Sequence, residues 1–293
     1  MSYSIYSRFR GTVLGMVTGE IAKQAKPKAN LFSEGVSCNS SPSVLLDSVL
    51  TGIKTLIALG RFDYEAWHKD MVKELTVNST ASPLTTLPLS MFYHENELKL
   101  RQNLQLALVA TGRDEPESRD STLALGQAIA TALQAKLSPI EIISQTIAFV
   151  GASPTTTAAK LSQVKVLLDE RAGLERAIAQ LGQPDRLSSQ LALAFFCCLS
   201  TPVDFRLTVQ RAAISDRSGV TSAIAGALSG AYNGVASIPT TQALATGVTN
   251  QAEVLRLCDV LVAVWSGVYQ QSDRATAHNQ IVAIAAPKIV RRR

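Results

Sequence analysis

The sequence predicts an all-α fold in which many helices pack into one domain. Strand patterns are nearly absent, whereas helical windows with recognisable start and stop residues follow one another along most of the 293 residues. No tandem repeat and no long linker divides the chain. These observations predict a single multi-helix domain over residues 1–293, in which residues 287–293 form a basic tail.

Two of the predicted helices carry a glycine at every fourth position. The first covers residues 7–24 and ends at a Lys-Pro-Lys sequence, and the second lies in a stretch that has no charge after Arg217. The glycines are Gly11, Gly15, Gly19, Gly226, Gly230 and Gly234. This spacing places the glycines of each helix on nearly one face, so another backbone can approach closely. It predicts a tightly crossed central pair, which either serves packing alone or also shapes a site.

The other helices are predicted from caps, breakers and apolar periodicity. Gly60 ends one helix, Asp63 caps the next, and residues 138–141 combine a cap, a first-turn proline and a capping-box glutamate. Residues 76–89 contain two prolines and are predicted to be a loop, and the charged residues 113–120 a solvated connector. These helices cover residues 44–59, 63–75, 97–110, 121–137, 138–150, 155–168, 174–181, 189–199, 201–214, 250–268 and 280–286.

Composition narrows the classes of function. Hydrophobic residues make up 46% and charged residues 17%, and the net charge of +5 is partly terminal, with no basic face interleaved with aromatics that would bind nucleic acid. The uncharged stretch 218–252 is too rich in polar residues for a membrane span. The four cysteines lack metal-ligand spacing, and the Cys197–Cys198 pair lies in an apolar run. Reduced thiols and the lack of a signal-peptide pattern predict a cytoplasmic protein.

Two blocks of the sequence resemble the ADP-ribosylglycohydrolase family. Residues 8–20, R-F-R-G-T-V-L-G-M-V-T-G-E, are similar to the opening of that family. Residues 194–213, followed by residues 222–239, are similar to its C-terminal signature. The order, the spacing and the total length also fit, so the resemblance covers the whole chain. It implies an all-helical, orthogonally packed fold. In active relatives two metal ions, usually magnesium or manganese, orient ADP-ribose and a water.

The resemblance also implies where metal-binding carboxylates should lie, because active relatives carry a C-terminal G-D-x-D-T/S motif. Counting back from Gly226, the two aspartate positions fall on Arg217 and Gly219, and the Thr/Ser position falls on Val220. An alignment shifted by one residue recovers a single carboxylate at residue 216 and a serine at residue 218. Hard divalent cations require several oxygen ligands, so this segment is predicted to have lost them.

The N-terminal metal motif of the family, S/T-D-D-T, is also incomplete. It aligns with V-L-L-D-S at residues 44–48, where Asp47 is the only acid. The early G-D-A-L-G of the family becomes residues 19–23, in which Glu20 keeps an acid and Lys23 adds a cation. Residues 78–86 replace the glycine-containing loop that contacts ADP-ribose in relatives.

These departures predict a pseudoenzyme with no catalytic residue, no metal and no cofactor, which acts as a binding, regulatory or structural module for a protein partner. Its vestigial cleft would be formed by Glu20, Asp47, Asp216, Arg217 and Ser218. One alternative is a divergent Mg²⁺- or Mn²⁺-dependent hydrolase that uses the three acids of this set. The other is a metal-free binder of an ADP-ribose-like nucleotide, in which Arg217 and Lys23 face the phosphates.

Overall fold

The computed structural model of the chain contains thirteen α-helices and two 3-10 turns, with no strand among the residues that it describes. The predicted all-α fold is therefore confirmed. The described residues are 4–22, 44–75, 83–135, 138, 141–182, 186–215, 219–239 and 251–268. The predicted helix over residues 280–286 and the basic tail lie outside them.

The helices begin and end close to the predicted positions in most cases. The 3-10 turns are Pro83–Thr86 and Val235–Ser237. The helices are α1 (Ile5–Ala22), α2 (Val44–Leu59), α3 (Tyr64–Leu75), α4 (Leu87–Phe92), α5 (Glu97–Ala110), α6 (Pro116–Leu133), α7 (Ile142–Val150), α8 (Thr157–Asp169), α9 (Leu174–Leu181), α10 (Leu187–Ser200), α11 (Phe205–Ser215), α12 (Val220–Asn233) and α13 (Gln251–Trp265).

The centre of the fold is the crossing of α1 and α12, which share the most extensive contact between any two helices. A Cβ atom added at Gly15 would lie 2.2 Å from the carbonyl oxygen of Gly226, and one added at Gly11 would lie 2.3 Å from that of Gly230. Each step of four residues forward along α1 moves the contact four residues backward along α12, so the two helices run antiparallel. The predicted glycine crossing is confirmed. Gly234 lies beyond α12, where it forms the C-cap at φ 69°.

Two arginines of α1 attach this helix to other parts of the core. The Arg8 side chain is buried and donates to the carbonyl oxygens of Ala132 and Leu133, at 2.8 and 3.1 Å, which closes the C-terminal end of α6. Arg10 donates to both carboxylate oxygens of Asp259 on α13, at 2.7 and 2.5 Å. The first helix thus contacts helices distant in the sequence.

Helix α10 is buried along almost its whole length and packs against α8, α9, α11 and α12. The predicted core position of Cys197 and Cys198 is confirmed, since both are buried free thiols. Burial raises the pKa of both thiols to about 12. A third free thiol, Cys258, is buried in α13.

The predictions of loops at residues 76–89 and 113–120 are wrong in part. Within residues 76–89, the structure describes residues 83–89 as a buried 3-10 turn and the start of α4, because the prolines lie in first-turn positions where they fit a helix. Residues 113–120 are not one solvated connector. Helix α6 begins at Pro116, and Asp120 is 4% exposed.

The predicted lack of a membrane span agrees with the helices of the described part of the chain. None of them combines the length and the apolar character that crossing a bilayer requires.

Candidate functional site

The predicted cleft would lie at one end of the glycine crossing, where α1 ends and α12 begins. A Cβ atom at Gly19 would lie 2.0 Å from the carbonyl oxygen of Ser222, so the last turns of α1 contact the first turn of α12. Glu20 follows directly in the chain and is half-buried. The structure therefore brings this predicted site residue to the N-terminal end of α12.

The first turn of α12 contributes no acidic side chain of its own to balance the positive end of the helix dipole. The N-cap Gly219 contributes no side-chain cap, and the first turn contains no acidic residue. The helix dipole makes such a terminus attractive to anions. A cation at this end would need carboxylates from other parts of the chain.

Two of the positions that match the C-terminal metal motif are described, and neither carries an oxygen ligand in its side chain. Gly219 adopts the left-handed conformation, with φ 87° and ψ −6°, in which an aspartate would be strained by about 1 kcal/mol. Val220 is 7% exposed. The predicted site residues Asp216, Arg217 and Ser218 lie outside the described residues, so their roles stay predictions.

Asp47 lies in the first turn of α2 and is exposed. It forms no hydrogen bond or ion pair within the described part of the chain. Helix α2 packs against α3, α4 and α13. Across the described ranges, no three His, Cys, Asp or Glu side chains come close enough to share a metal ion.

Two hydroxyl groups beside the crossing were not predicted from the sequence. Thr18 and Thr221 are buried, at 3% and 0% exposure, and neither hydroxyl forms a hydrogen bond with a described residue. They adjoin Gly19 and Ser222, the residues at which the two helices meet. Leaving a buried hydroxyl unpaired costs about 1–3 kcal/mol, so both are available to a ligand or a water. The signal in the sequence was a threonine next to a glycine-stripe contact on each helix.

A second polar cluster joins the N-terminal ends of α6, α8 and α10. Glu117 accepts a hydrogen bond of 3.0 Å from the backbone N–H of Ser188. Lys160 donates to the hydroxyl of Ser189 and to the carbonyl oxygen of Leu181, both at 2.6 Å. Buried Asp120 accepts from the hydroxyl of Thr155. Since these groups satisfy one another, the cluster tethers helices rather than presenting reactive groups.

The charges of this cluster perturb one another. Burial alone would raise the pKa of Glu117, but hydrogen bonds from Ser188 and the nearby charges of Arg186 and Lys160 outweigh burial and hold that pKa below its ordinary value. Burial lowers the pKa of Lys160, as does the Arg186 charge. The net effect keeps the carboxylate ionised.

Comparisons with known proteins agree with this architecture. The family model described as ADP-ribosylglycohydrolase matches residues 36–271. This range contains the resembling block at residues 194–239, whereas residues 8–20 precede it. No curated protein sequence matches the chain.

A solved structure titled "ADP-ribosylglycohydrolase-related protein complex" has a similar fold, with a TM-score of 0.60 and 15% sequence identity. The alignment covers 89% of this chain and 99% of that one. At this identity the likeness concerns the fold alone. The family match, however, extends over well more than half of the sequence, and this chain belongs to the ADP-ribosylglycohydrolase family.

Proposed function

We propose that this protein is a catalytically silent member of the ADP-ribosylglycohydrolase family, which acts by binding a protein partner. The observation that carries the proposal is the start of α12, where Gly219 and Val220 stand at positions that hold a metal-binding aspartate and a Thr/Ser in active relatives. The remaining aspartate position matches Arg217. The scaffold is kept, while the ligands expected for metal are replaced.

Electrostatics supports the same conclusion. Two divalent cations need several carboxylates to replace their lost hydration. Unit charges of like sign repel by about 4 kcal/mol at 4 Å and an effective dielectric constant of 20. A guanidinium at Arg217 would oppose each ion by more than that, and the dipole of α12 adds to the repulsion. The divergent hydrolase is less well supported, because Asp47 is exposed and contacts no other described acid.

A second candidate function is the metal-free binding of an ADP-ribose-like nucleotide. The unpaired hydroxyls of Thr18 and Thr221 favour it, because they lie where α1 meets the N-terminal end of α12. Helix N-termini are suited to phosphate. In this version Arg217 and Lys23 supply the cations. For either function we propose the cytoplasm as the location, in keeping with three free thiols among the described cysteines.

The lack of catalytic activity is tested by measuring the release of ADP-ribose from arginine- and serine-linked ADP-ribosylated proteins, with and without Mg²⁺ or Mn²⁺. We expect no metal-dependent release and no saturable Mn²⁺ binding by calorimetry. The matched variant combines Arg217→Asp, Gly219→Asp and Val220→Thr, and it should gain Mn²⁺ affinity because it restores the motif. Metal-dependent turnover by the unaltered protein would overturn the proposal.

The nucleotide candidate is tested by calorimetry with ADP-ribose in the presence of a chelator. Saturable binding that Arg217→Ala weakens, and that Lys99→Gln on the exposed face of α5 leaves unchanged, would establish it. The absence of binding at millimolar ADP-ribose would rule out the nucleotide-binding function.

A further inference from the structure

A half-open groove of about 390 Å³ lies where the C-terminal ends of α8 and α10 meet α11. Its floor is formed by the buried side chains of Leu167, Phe196 and Leu199, and its accessible apolar surface includes the half-buried Leu168 and Ala172. Grooves of this size with apolar walls and a few converging polar groups are typical of small-molecule sites. Among the described residues, none that lines the groove belongs to the predicted cleft.

The charges that line the groove are mostly positive. Lys165, Arg171 and Arg211 face a single carboxylate, that of Asp169. None of the three cations forms an ion pair with a described residue. Each of the two helix C-termini adds about half a negative elementary charge. The net charge of the three cations, the carboxylate and the two helix C-termini is about +1, which matches a ligand with one negative charge.

Arg211 has hydrogen-bond donors to spare. Its guanidinium lies over the ring of Phe196, with 5.6 Å between its central carbon and the ring centroid. Its Nε atom is buried and forms no hydrogen bond with a described residue. A guanidinium presents five N–H donors in one plane, which suits the oxygens of a carboxylate, sulfonate or phosphate.

Arg171 holds a backbone conformation that glycine usually takes. It adopts φ 51° just after the C-terminal end of α8, whereas α5, α7 and α9 are each followed by a glycine with positive φ. The backbone N–H of Ala172 donates to the carbonyl oxygen of Leu167 at 2.9 Å, and that of Arg171 to the carbonyl oxygen of Leu168 at 3.0 Å. Because these bonds already cap the helix, capping does not require the Arg171 side chain. The Arg171 side chain lines the groove and has no capping role there.

We propose that this groove binds a small organic monoanion, whose apolar body lies on Leu168 and Ala172 and whose charged head lies between Arg171 and Arg211. The apolar surface provides affinity through burial, and the two guanidinium groups provide selectivity for charge. This site is independent of the proposed function of the cleft.

The probe is anilinonaphthalene sulfonate, an aromatic monoanion that fluoresces on binding, with neutral N-phenylnaphthylamine as the matched uncharged probe. We expect saturable binding of the sulfonate, weakened by salt. Arg211→Gln should raise its Kd about tenfold, because a charge-assisted hydrogen bond is lost. Arg171→Gly should raise it about threefold, because this cation is exposed, and should keep or raise the melting temperature, since glycine relieves the backbone.

The control is Lys99→Gln, an exposed cation outside the groove, which should leave the Kd unchanged. The result with Arg171→Gly is decisive, since this variant keeps the fold even where Arg211→Gln fails to fold. Equal affinity for the neutral probe, or an unchanged Kd in Arg171→Gly, overturns the proposal. So does a Kd that responds to Arg217→Ala and not to the groove variants, which would place the probe in the cleft.

Discussion

Glu117 is an ionised side chain whose hydrogen bonds join two helix ends. Its carboxylate accepts from Ser188, at the start of α10, while Glu117 itself lies in the first turn of α6. Both helix dipoles favour the negative charge there. The folded state therefore prefers the ionised form, and this preference makes the stability depend on pH.

We predict that Glu117→Gln lowers the free energy of unfolding by about 1 kcal/mol at neutral pH, because a charge-assisted bond is lost at a partly exposed site. The folded pKa of Glu117 lies below the ordinary glutamate value of 4.5. Its contribution is therefore complete above that value and is lost as the pH falls through the folded pKa. Urea titrations of both proteins between neutral pH and pH about 3 would measure a difference that shrinks with acidification.

The control is Glu175→Gln, an exposed acid of α9, which should change stability by less than about 0.5 kcal/mol. A Glu117→Gln difference that stays constant across the pH range would show that the carboxylate contributes nothing through its charge.

At the scale of elements, the glycine stripes determine how closely α1 and α12 approach. The carbonyl oxygen of Gly15 would lie 2.1 Å from a Cβ at Gly226, and that of Gly226 lies 2.2 Å from a Cβ at Gly15. Contacts this short leave no room for a methyl group on either side. The crossing tolerates only glycine at these positions.

We predict that Gly15→Ala destabilises the protein by about 3 kcal/mol or more, because the added methyl forces two backbones apart. Gly173→Ala is the matched control, since nothing lies within 4 Å of a Cβ there and its φ is −71°. Thermal unfolding should separate the two variants clearly. Similar melting temperatures would mean that the crossing adjusts without cost.

Sequence patterns predicted this crossing because a four-residue glycine spacing has one geometric meaning on a helix. They failed at α4 and at the start of α6 for a local reason. Pro83 and Pro88 favoured a loop, yet Pro83 begins a 3-10 turn and Pro88 lies in the first turn of α4, where proline fits. The acids of residues 113–120 suggested solvent, but Asp120 is buried through its bond to Thr155, a residue distant in the sequence.

At the scale of the whole molecule, α13 is attached to α1 and to α2 by two different ion pairs. Arg10 and Asp259 form a bidentate pair, and the Asp259 side chain is 13% exposed. Lys54 and Glu253 lie 3.9 Å apart with more exposed side chains. Burial and geometry make the first pair the stronger one.

We predict that Asp259→Asn lowers the free energy of unfolding by about 2 kcal/mol, because it leaves a half-buried guanidinium without its anion. Lys54→Gln should cost less than about 0.5 kcal/mol. Hydrogen exchange of the α13 amides should accelerate in Asp259→Asn and remain unchanged in Lys54→Gln. Equal hydrogen exchange in both variants would contradict the prediction that the Arg10–Asp259 pair stabilises α13 more than the Lys54–Glu253 pair does.

The candidate site was less predictable than the fold. The glycine spacing predicted that α1 and α12 cross, but not that they run antiparallel, which places Glu20 beside the start of α12. The two unpaired threonines became visible only through burial. Asp47 is exposed in the first turn of α2, and its role in a site stays a prediction.

The glycine crossing has a consequence for how this family can diverge. A Cα–Cβ bond is about 1.5 Å long, so the α-carbons of Gly11 and Gly15 lie within about 3.8 Å of carbonyl oxygens on the facing helix, a range that suits weak C–H···O bonds. The two helices thus contact each other through their main chains. Side chains at the helix ends can therefore change during evolution without altering this backbone contact.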